Sequence, residues 1–275
     1  MIQSVVINLK RHHDRLSWFM ENALKVNLTV ERIDAVDVHD QSVQTQIDEF
    51  MQIESALSRA EAACFLSHRK AWERLLDSQE PYIAVFEDDV HLSKDISNLL
   101  SPELVPEGIG LIKLEYPLHR VAYVHKAYAK IMGRKLHRLL TNAYGAAGYI
   151  VSRECAKRLL ELSATYREPV DVFLFDQESP LWQEFSVLQV VPAACIQDHA
   201  LSQLNKASIL FKSAIEAERK DMGVKREAMK LKRKRLFSNI KMPRYISCIL
   251  KGANPFRYRD YVTLDLGSHS VEKHW

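Results

Sequence analysis

The run "SVVINL" at residues 4–9 is apolar and rich in β-branched side chains, and charge begins directly after it. That pattern predicts a short buried strand. "HHDRLSWFMENALKV" follows with helical spacing, which sets Leu16, Phe19, Met20 and Leu24 on one face. "LTVERIDAVD" then returns to strand and loop. A strand–helix–strand opening predicts an α/β fold with a largely parallel sheet. Residues 41–57 are polar and show no clear period, but "SRAEAACFLSHRKAWERLLDS" has a strong helical signature. Ser58 and Glu61 make an S-x-x-E capping box, in which each side chain satisfies an orphan donor of the first turn. Phe65, Trp72, Leu75 and Leu76 form the apolar stripe of this helix, and His68 falls on the same stripe.

A second apolar run, Tyr82 to Phe86 in "YIAVFEDDVHLS", ends in three consecutive carboxylates, Glu87, Asp88 and Asp89. Beyond it, a Pro/Gly-marked loop (101–110) leads to the strand "LIKLEY" (111–116). "AAGYIVS" (146–152) predicts another strand, and "RECAKRLLELSATY" predicts a helix. "PVDVFLFD" (169–176) reads as the head of a further helix, and "FSVLQVVPAACIQ" supplies at least one more strand. From about Lys206 the chain becomes helix-prone, increasingly basic and poor in core residues. The domain boundary is therefore set near residue 205, with 1–205 as the α/β body and 206–275 as a basic C-terminal region.

Composition narrows the class without naming a reaction. The 275 residues are 47% hydrophobic and 27% charged, as in an ordinary globular protein with a sizeable core. Cys64, Cys155, Cys195 and Cys248 form no C-x-x-C pair, which gives no signal for a zinc or redox motif and fits a reducing, cytosolic compartment. The N-terminus lacks a secretory pattern, and no apolar run approaches the roughly 18 residues that span a bilayer. Neither export nor membrane crossing is expected. The net charge of +3 conceals an asymmetry. Between Arg219 and Arg244 stand eleven Lys or Arg against Asp221 and Glu227, a local +9, so the remainder carries −6. An acidic body bears a basic tail.

Three adjacent carboxylates at a strand end repel one another unless something positive sits among them. A divalent cation with hard oxygen ligands resolves the conflict, and Mg²⁺ or Mn²⁺ completes its shell with phosphate oxygens and water. The carboxyl end of a strand in an open α/β sheet is also where ligands bind. The cluster thus points to a metal–diphosphate site, although acidic loops after strands are also commonly just solvated. It specifies a metal better than a reaction, since nucleases and nucleotidyltransferases use paired aspartates too.

Five blocks, "INLKRHHDR" (7–15), "SRAEAACFLSHRKAW" (58–72), "PYIAVFEDDVHL" (81–92), "GAAGYIVSRECA" (145–156) and "PVDVFLF" (169–175), follow one another as in glycosyltransferase family 25. The likeness runs from about residue 4 to 204 and is nearest to the bacterial lipooligosaccharide β-1,4-galactosyltransferases. It implies a GT-A-like, Rossmann-type domain that binds UDP-galactose. It also implies metal-dependent, inverting transfer of galactose to a lipid-linked oligosaccharide acceptor, on the cytoplasmic face of a Gram-negative inner membrane. Carried onto this chain, the resemblance puts Glu87, Asp88 and Asp89 in the acidic motif. Asp88 or Asp89 would touch Mn²⁺ or Mg²⁺, with Glu87 ordering the loop or the donor.

The remaining candidates each admit two readings. Asn8, Arg11 and Arg15 sit where such folds receive a nucleotide, and a guanidinium there could pair with phosphate. The two arginines could equally be a solvated helix face. Ser67 and His68 match the family block, so they are donor-site candidates, whereas a histidine on an apolar stripe is usually a core residue. Glu115 ends a strand and is either a ligand for sugar hydroxyls or an exposed acid. Asp171 is either a helix cap or the general base that takes the acceptor proton. His199 is a loose candidate for completing the metal shell, and Gln197 and Asp198 are weaker ones.

"KREAMKLKRKRLF" would attract nucleic-acid phosphates, but no reading motif accompanies it. An anionic membrane surface suits it better across residues 219–250, where Phe237, Ile240, Tyr245, Ile246, Ile249 and Leu250 add apolar insertion. A metal-dependent nuclease or nucleotidyltransferase, or a nucleic-acid-binding module, would require the five ordered blocks to be coincidental.

Overall fold

The computed structural model describes residues 1–52, 57–165 and 168–205, together with Leu210 and the short strand at 259–260. In chain order the elements are β1 (Gln3–Asn8), α1 (His13–Lys25), β2 (Glu31–Asp34), α2 (Gln44–Met51), α3 (Arg59–Leu76), β3 (Tyr82–Glu87), β4 (Val90–Leu92) and α4 (Ile96–Leu99). They continue with β5 (Ile109–Lys113), β6 (Val121–Ala122), β7 (Ala129–Ile131), β8 (Arg134–Arg138), β9 (Gly148–Ser152) and α5 (Arg153–Leu162). The last are α6 (Val170–Phe175), α7 (Leu181–Glu184), β10 (Ser186–Val191), β11 (Cys195–Gln197), α8 (Asp198–Asn205) and β12 (Arg259–Asp260).

Eight strands form one sheet in the order β2-β1-β3-β9-β5-β10-β8-β7. The expected α/β class is the one observed, but the sheet is mixed where a largely parallel one was expected. Strands β2, β1 and β3 are parallel, β9 runs antiparallel between β3 and β5, and β8 runs antiparallel beside β10. Strand direction is set by the length and path of the connections, which an apolar run does not reveal. The β7–β8 hairpin escaped the sequence reading because its strands are short and alternate with lysine and arginine. Its turn is nonetheless marked by Met132 and Gly133, at φ 46° and 84°, the left-handed pair that a tight hairpin needs.

The strands are buried almost throughout, and successive side chains face alternate sides, which divides the core in two. Val5, Ile7, Ile83, Val85, Leu111, Tyr149 and Val151 face a layer that contains α3, α5 and α6. Val6, Ala84, Phe86, Ile112, Ile150 and Leu188 face the opposite layer, which contains α1 and α4. Strands covered on both sides read as continuous apolar runs, which is why β1, β3 and β9 were legible. Helix α3 begins at the expected capping box, where Ser58 Oγ accepts from Glu61 N at 3.2 Å and Glu61 Oε2 accepts from Ser58 N at 3.0 Å. Helix α1 buries part of the stripe its spacing suggested, Phe19 with Leu16 packed against the same core, and not the rest. Phe19 and Ala23 point inward, whereas Met20 and Leu24 are 39% and 76% exposed. Phe19 meets Phe86 between helix and sheet at 6.2 Å between ring centroids, which seats this side of the helix on the core.

The chain leaves β1 for β2 on one side and returns to β3 on the other, so the connections diverge between β1 and β3. Ligands of open α/β sheets lie in the crevice beyond the carboxyl ends at such a point. Asn8 ends β1 and Glu87 ends β3, so the acidic run opens into this crevice. A separate two-stranded pairing lays β11 antiparallel to β4 and brings Gln197 opposite Val90. The expected boundary near residue 205 coincides with the end of the continuously described residues, and the basic stretch 219–250 falls outside them. Beyond residue 205 only Leu210 and β12 are described, and β12 pairs with β6, Arg259 opposite Ala122.

Arg134 fastens the far part of the body. Its guanidinium donates to Asp95 Oδ2 at 2.8 Å and Oδ1 at 2.5 Å, and to the carbonyls of Pro192 and Ala193 at 2.9 and 2.8 Å. Burial works to raise the Asp95 carboxyl, but the Arg134 hydrogen bonds overcome it and hold the group below its usual value. A depressed carboxylate stabilises the fold above the unfolded pKa of about 3.9, and that contribution is lost as pH falls through the folded value. Arg134→Ala should lower the unfolding free energy by about 2–4 kcal/mol. It should also flatten the loss of stability below about pH 4, as read by urea denaturation across an acid pH series.

Candidate active site

The acidic run turns sharply out of β3, and two elements hold it. From α1, Arg15 reaches Asp88 Oδ1 at 2.5 Å and Asp89 Oδ2 at 2.9 Å. From the end of β1, Asn8 donates to Asp88 Oδ2 at 2.6 Å and to His12 O at 3.0 Å, while its own oxygen accepts from Arg32 Nε at 3.0 Å. Asp88 and Asp89 are buried, at 6% and 8% exposure. Burial raises the Asp88 carboxyl, against the pull of Arg15 and Asn8. Burial, and then the charge of Glu87, push Asp89 up to about 7. Arg15 therefore offsets only part of the crowding.

The remote β11–α8 corner closes over the same turn. Gln197 Nε2 donates to Glu87 Oε2 at 2.9 Å, and Asp198 N donates to Asp89 O at 2.8 Å. His91 lies 2.9 Å from Asp198 Oδ1 and edge-on to Trp18, with ring centroids 4.9 Å apart. His199, in the first turn of α8, has its Nε2 at 2.7 Å from Gln203 Nε2, one turn further on.

His68 is 1% exposed, yet polar groups face both ring nitrogens. Nδ1 meets Tyr149 Oη at 2.9 Å, and Nε2 meets Glu87 Oε1 at 3.4 Å. Trp72 Nε1 donates to the same Tyr149 hydroxyl at 2.9 Å. The stripe histidine is thus a satisfied core residue that also touches the acidic run. Ser67 points elsewhere: its hydroxyl accepts from Val36 N at 2.8 Å and donates to Ala63 O at 2.7 Å. Arg11 is exposed and pairs with Asp37, away from the aspartates.

Glu115 lies deeper than a strand-end acid was expected to lie, at 3% exposure. Its Oε2 accepts from Lys113 Nζ and from Ala147 N, both at 3.0 Å. Burial raises this carboxyl, and the Lys113 ammonium opposes the rise. Gly145, at φ +98°, packs against it so closely that a Cβ would lie 2.7 Å from both carboxylate oxygens. The same glycine donates its N–H to Asp171 Oδ2 at 3.4 Å, so the 143–147 loop links Glu115 to Asp171. Beside it, Tyr144 donates to Asp176 Oδ2 at 3.0 Å, and burial together with that carboxylate raises the phenol to about 12.

Of the expected residues, Asn8, Arg15, Glu87, Asp88 and Asp89 come together directly, with His68 joined through Glu87. Arg32, Tyr149 and Lys113 were missed. Arg32 reads as a solvated strand end, Tyr149 as core, and a fully buried lysine leaves no pattern. A divalent cation with oxygen ligands fits the pair at Asp88 and Asp89, since Asp89 Oδ1 is buried without a hydrogen-bond partner.

The model of "Glycosyltransferase family 25 (LPS biosynthesis protein)" matches residues 1–174. This chain belongs to glycosyltransferase family 25. The lipooligosaccharide biosynthesis protein lic2B of Haemophilus influenzae is 28% identical over 235 residues, covering 81% of this chain and 85% of its own length. The lacto-N-neotetraose biosynthesis glycosyltransferase LgtE of Neisseria meningitidis serogroup B is 34% identical over 190 residues, covering 64% and 66%. Among solved structures, a Drosophila beta-1,4-galactosyltransferase 7 complex with manganese, UDP-Gal and xylobiose aligns at TM-score 0.38 and 12% identity. That alignment covers 78% of this chain and 77% of the other, too loosely to carry any residue across. The nuclease and nucleotidyltransferase readings needed the ordered blocks to be coincidental, and family membership removes that condition. No helix among the described residues is long and apolar enough to cross a membrane.

The Tyr149 hydroxyl meets two buried nitrogens at once, accepting from Trp72 Nε1 and contacting His68 Nδ1, so removing it takes that partner from both. Tyr149→Phe should lower stability by about 2–3 kcal/mol in chemical denaturation.

Proposed function

We propose that this family 25 enzyme transfers galactose from UDP-galactose to a lipooligosaccharide acceptor, with inversion and with dependence on Mn²⁺ or Mg²⁺. The observation that carries the reading is the buried Asp88–Asp89 pair at the point where the sheet's connections diverge. The lipooligosaccharide and lacto-N-neotetraose names of the relatives support the acceptor class.

Asp88 and Asp89 would hold the metal, with Glu87 fixed beside them by Gln197. A bound divalent ion would supply charge stabilisation for the departing diphosphate. Arg15, already within reach of both carboxylates, can follow them or turn to a phosphate oxygen. Asn8 and Arg32 keep Asp88 oriented. Asp171 takes the proton from the acceptor hydroxyl as the new C–O bond forms at the anomeric carbon and the bond to UDP breaks. A single displacement inverts that carbon, so one base suffices. His199 remains a candidate metal ligand, which would require it to leave Gln203.

Incubation with Mn²⁺, UDP-galactose and a glucose-terminated acceptor should release UDP and give a β-linked product, and excess chelator should stop it. Asp88→Asn and Asp89→Asn should each reduce turnover by at least about 100-fold with the circular dichroism unchanged. Asp171→Asn should lower kcat more than donor affinity. Full turnover in chelator, or in both aspartate variants, would refute the metal role.

The basic stretch 219–250 suits peripheral binding to an anionic inner-membrane surface, where each Lys or Arg contributes on the order of 1 kcal/mol. Removing residues 219–275 should weaken sedimentation with anionic liposomes far more than activity on a soluble acceptor. Equal liposome binding by the shortened chain would exclude this role.

A further inference from the structure

Three chemically different ligand atoms converge beside the acidic turn. Cys64 and His68 stand four residues apart on α3 and so share one face, and Glu87 meets them from the end of β3. The thiol sulfur, an imidazole nitrogen and a carboxylate oxygen all lie within 4.8 Å of one another. We propose that Cys64, His68 and Glu87 form a binding site for one borderline-soft divalent cation, zinc by the chemistry of its donors, distinct from the Asp88–Asp89 pair.

The donor set decides the class of ion. Thiolate and imidazole are the ligands that zinc takes at about 2.3 and 2.0–2.1 Å, and carboxylate oxygen completes many such shells. Ligand atoms on one tetrahedral ion stand roughly 3–4 Å apart, so the observed spacing closes with a shift of about an ångström. Manganese and magnesium favour oxygen, which is what the neighbouring aspartates present. Two adjacent sites of unlike hardness would sort two kinds of cation.

The surrounding groups hold the ligands as a metal site requires. Tyr149 Oη meets His68 Nδ1 at 2.9 Å, which aims Nε2 at Glu87. Trp72 Nε1 fixes that hydroxyl in turn. Gln197 takes Glu87 Oε2 and leaves Oε1 directed at the imidazole. Such outer partners set the tautomer and orientation of ligating histidines and carboxylates. Cys64 and Glu87 are partly exposed while His68 is buried, so an ion can enter from the Glu87 side and keep one position for water. A cation there would pin α3 to the end of β3, from which Asp88 and Asp89 hang.

Cobalt reports the thiolate directly. The reduced full-length chain, titrated with Co²⁺, should show a near-ultraviolet sulfur-to-cobalt charge-transfer band that saturates at one equivalent and is displaced by Zn²⁺. Cys64→Ser should abolish the band, Glu87→Gln should weaken Co²⁺ and Zn²⁺ binding about tenfold, and Asp89→Asn should leave it unchanged. Should Cys64→Ser not fold, Glu87→Gln and Asp89→Asn still separate the two sites. Absence of the band, a band that survives Cys64→Ser, or binding indifferent to Glu87→Gln would overturn the site. Because the readout is binding, its failure leaves the transferase reading untouched.

Discussion

Arg15 reaches from α1 to within 2.5 Å of Asp88 and 2.9 Å of Asp89, and this bridge governs the arrangement of the sheet's carboxyl edge. Two unit charges about 4 Å apart near a protein surface interact by about 4 kcal/mol, so three adjoining carboxylates cannot be gathered there uncompensated. One guanidinium offsets part of that repulsion, and Asn8 and Gln197 contribute hydrogen bonds. Burial, and then what is left of that repulsion, show in the raised carboxyl of Asp89, whose Oδ1 has no hydrogen-bond partner. A site left short of positive charge is where the proposed cation would sit.

The opposite wall of the crevice is held by a different device. Lys113 is wholly buried, with its ammonium 3.0 Å from Glu115 and 4.2 Å from the centroid of the Phe175 ring. Neither charge could be buried alone, because an unpaired interior ion is strongly destabilising. Together they anchor the loop that carries Gly145 toward Asp171. The acidic turn and the loop beside Asp171 therefore rest on separate ion pairs, joined through the strands β3, β9 and β5.

Much of the body was legible because its elements obey local rules. β1, β3 and β9 are covered on both faces and read as apolar runs, and the Ser58–Glu61 box marks the start of α3. The carboxylates at 87–89 stood out because an apolar strand seldom ends that way. What failed depended on distant contacts. Leu24 has the right spacing for the α1 stripe, yet Phe19 is the residue seated against Phe86 and Leu24 stays in solvent. Glu115 looked like a solvated strand end because nothing local reports that Lys113 turns toward it.

By itself, the chain's order of residues determined the α/β class, the first strands and helices, and the concentration of acid at one strand end, because hydrophobic period and helix capping act within a few neighbours. Tertiary structure alone decided that β9 runs against its neighbours and that Arg15 bridges the aspartates. It alone brought Gln197 and Asp198 back onto Glu87 and Asp89 from more than a hundred residues away. Charge compensation inside a fold acts through space at a few ångströms, and no spacing along the chain encodes that distance.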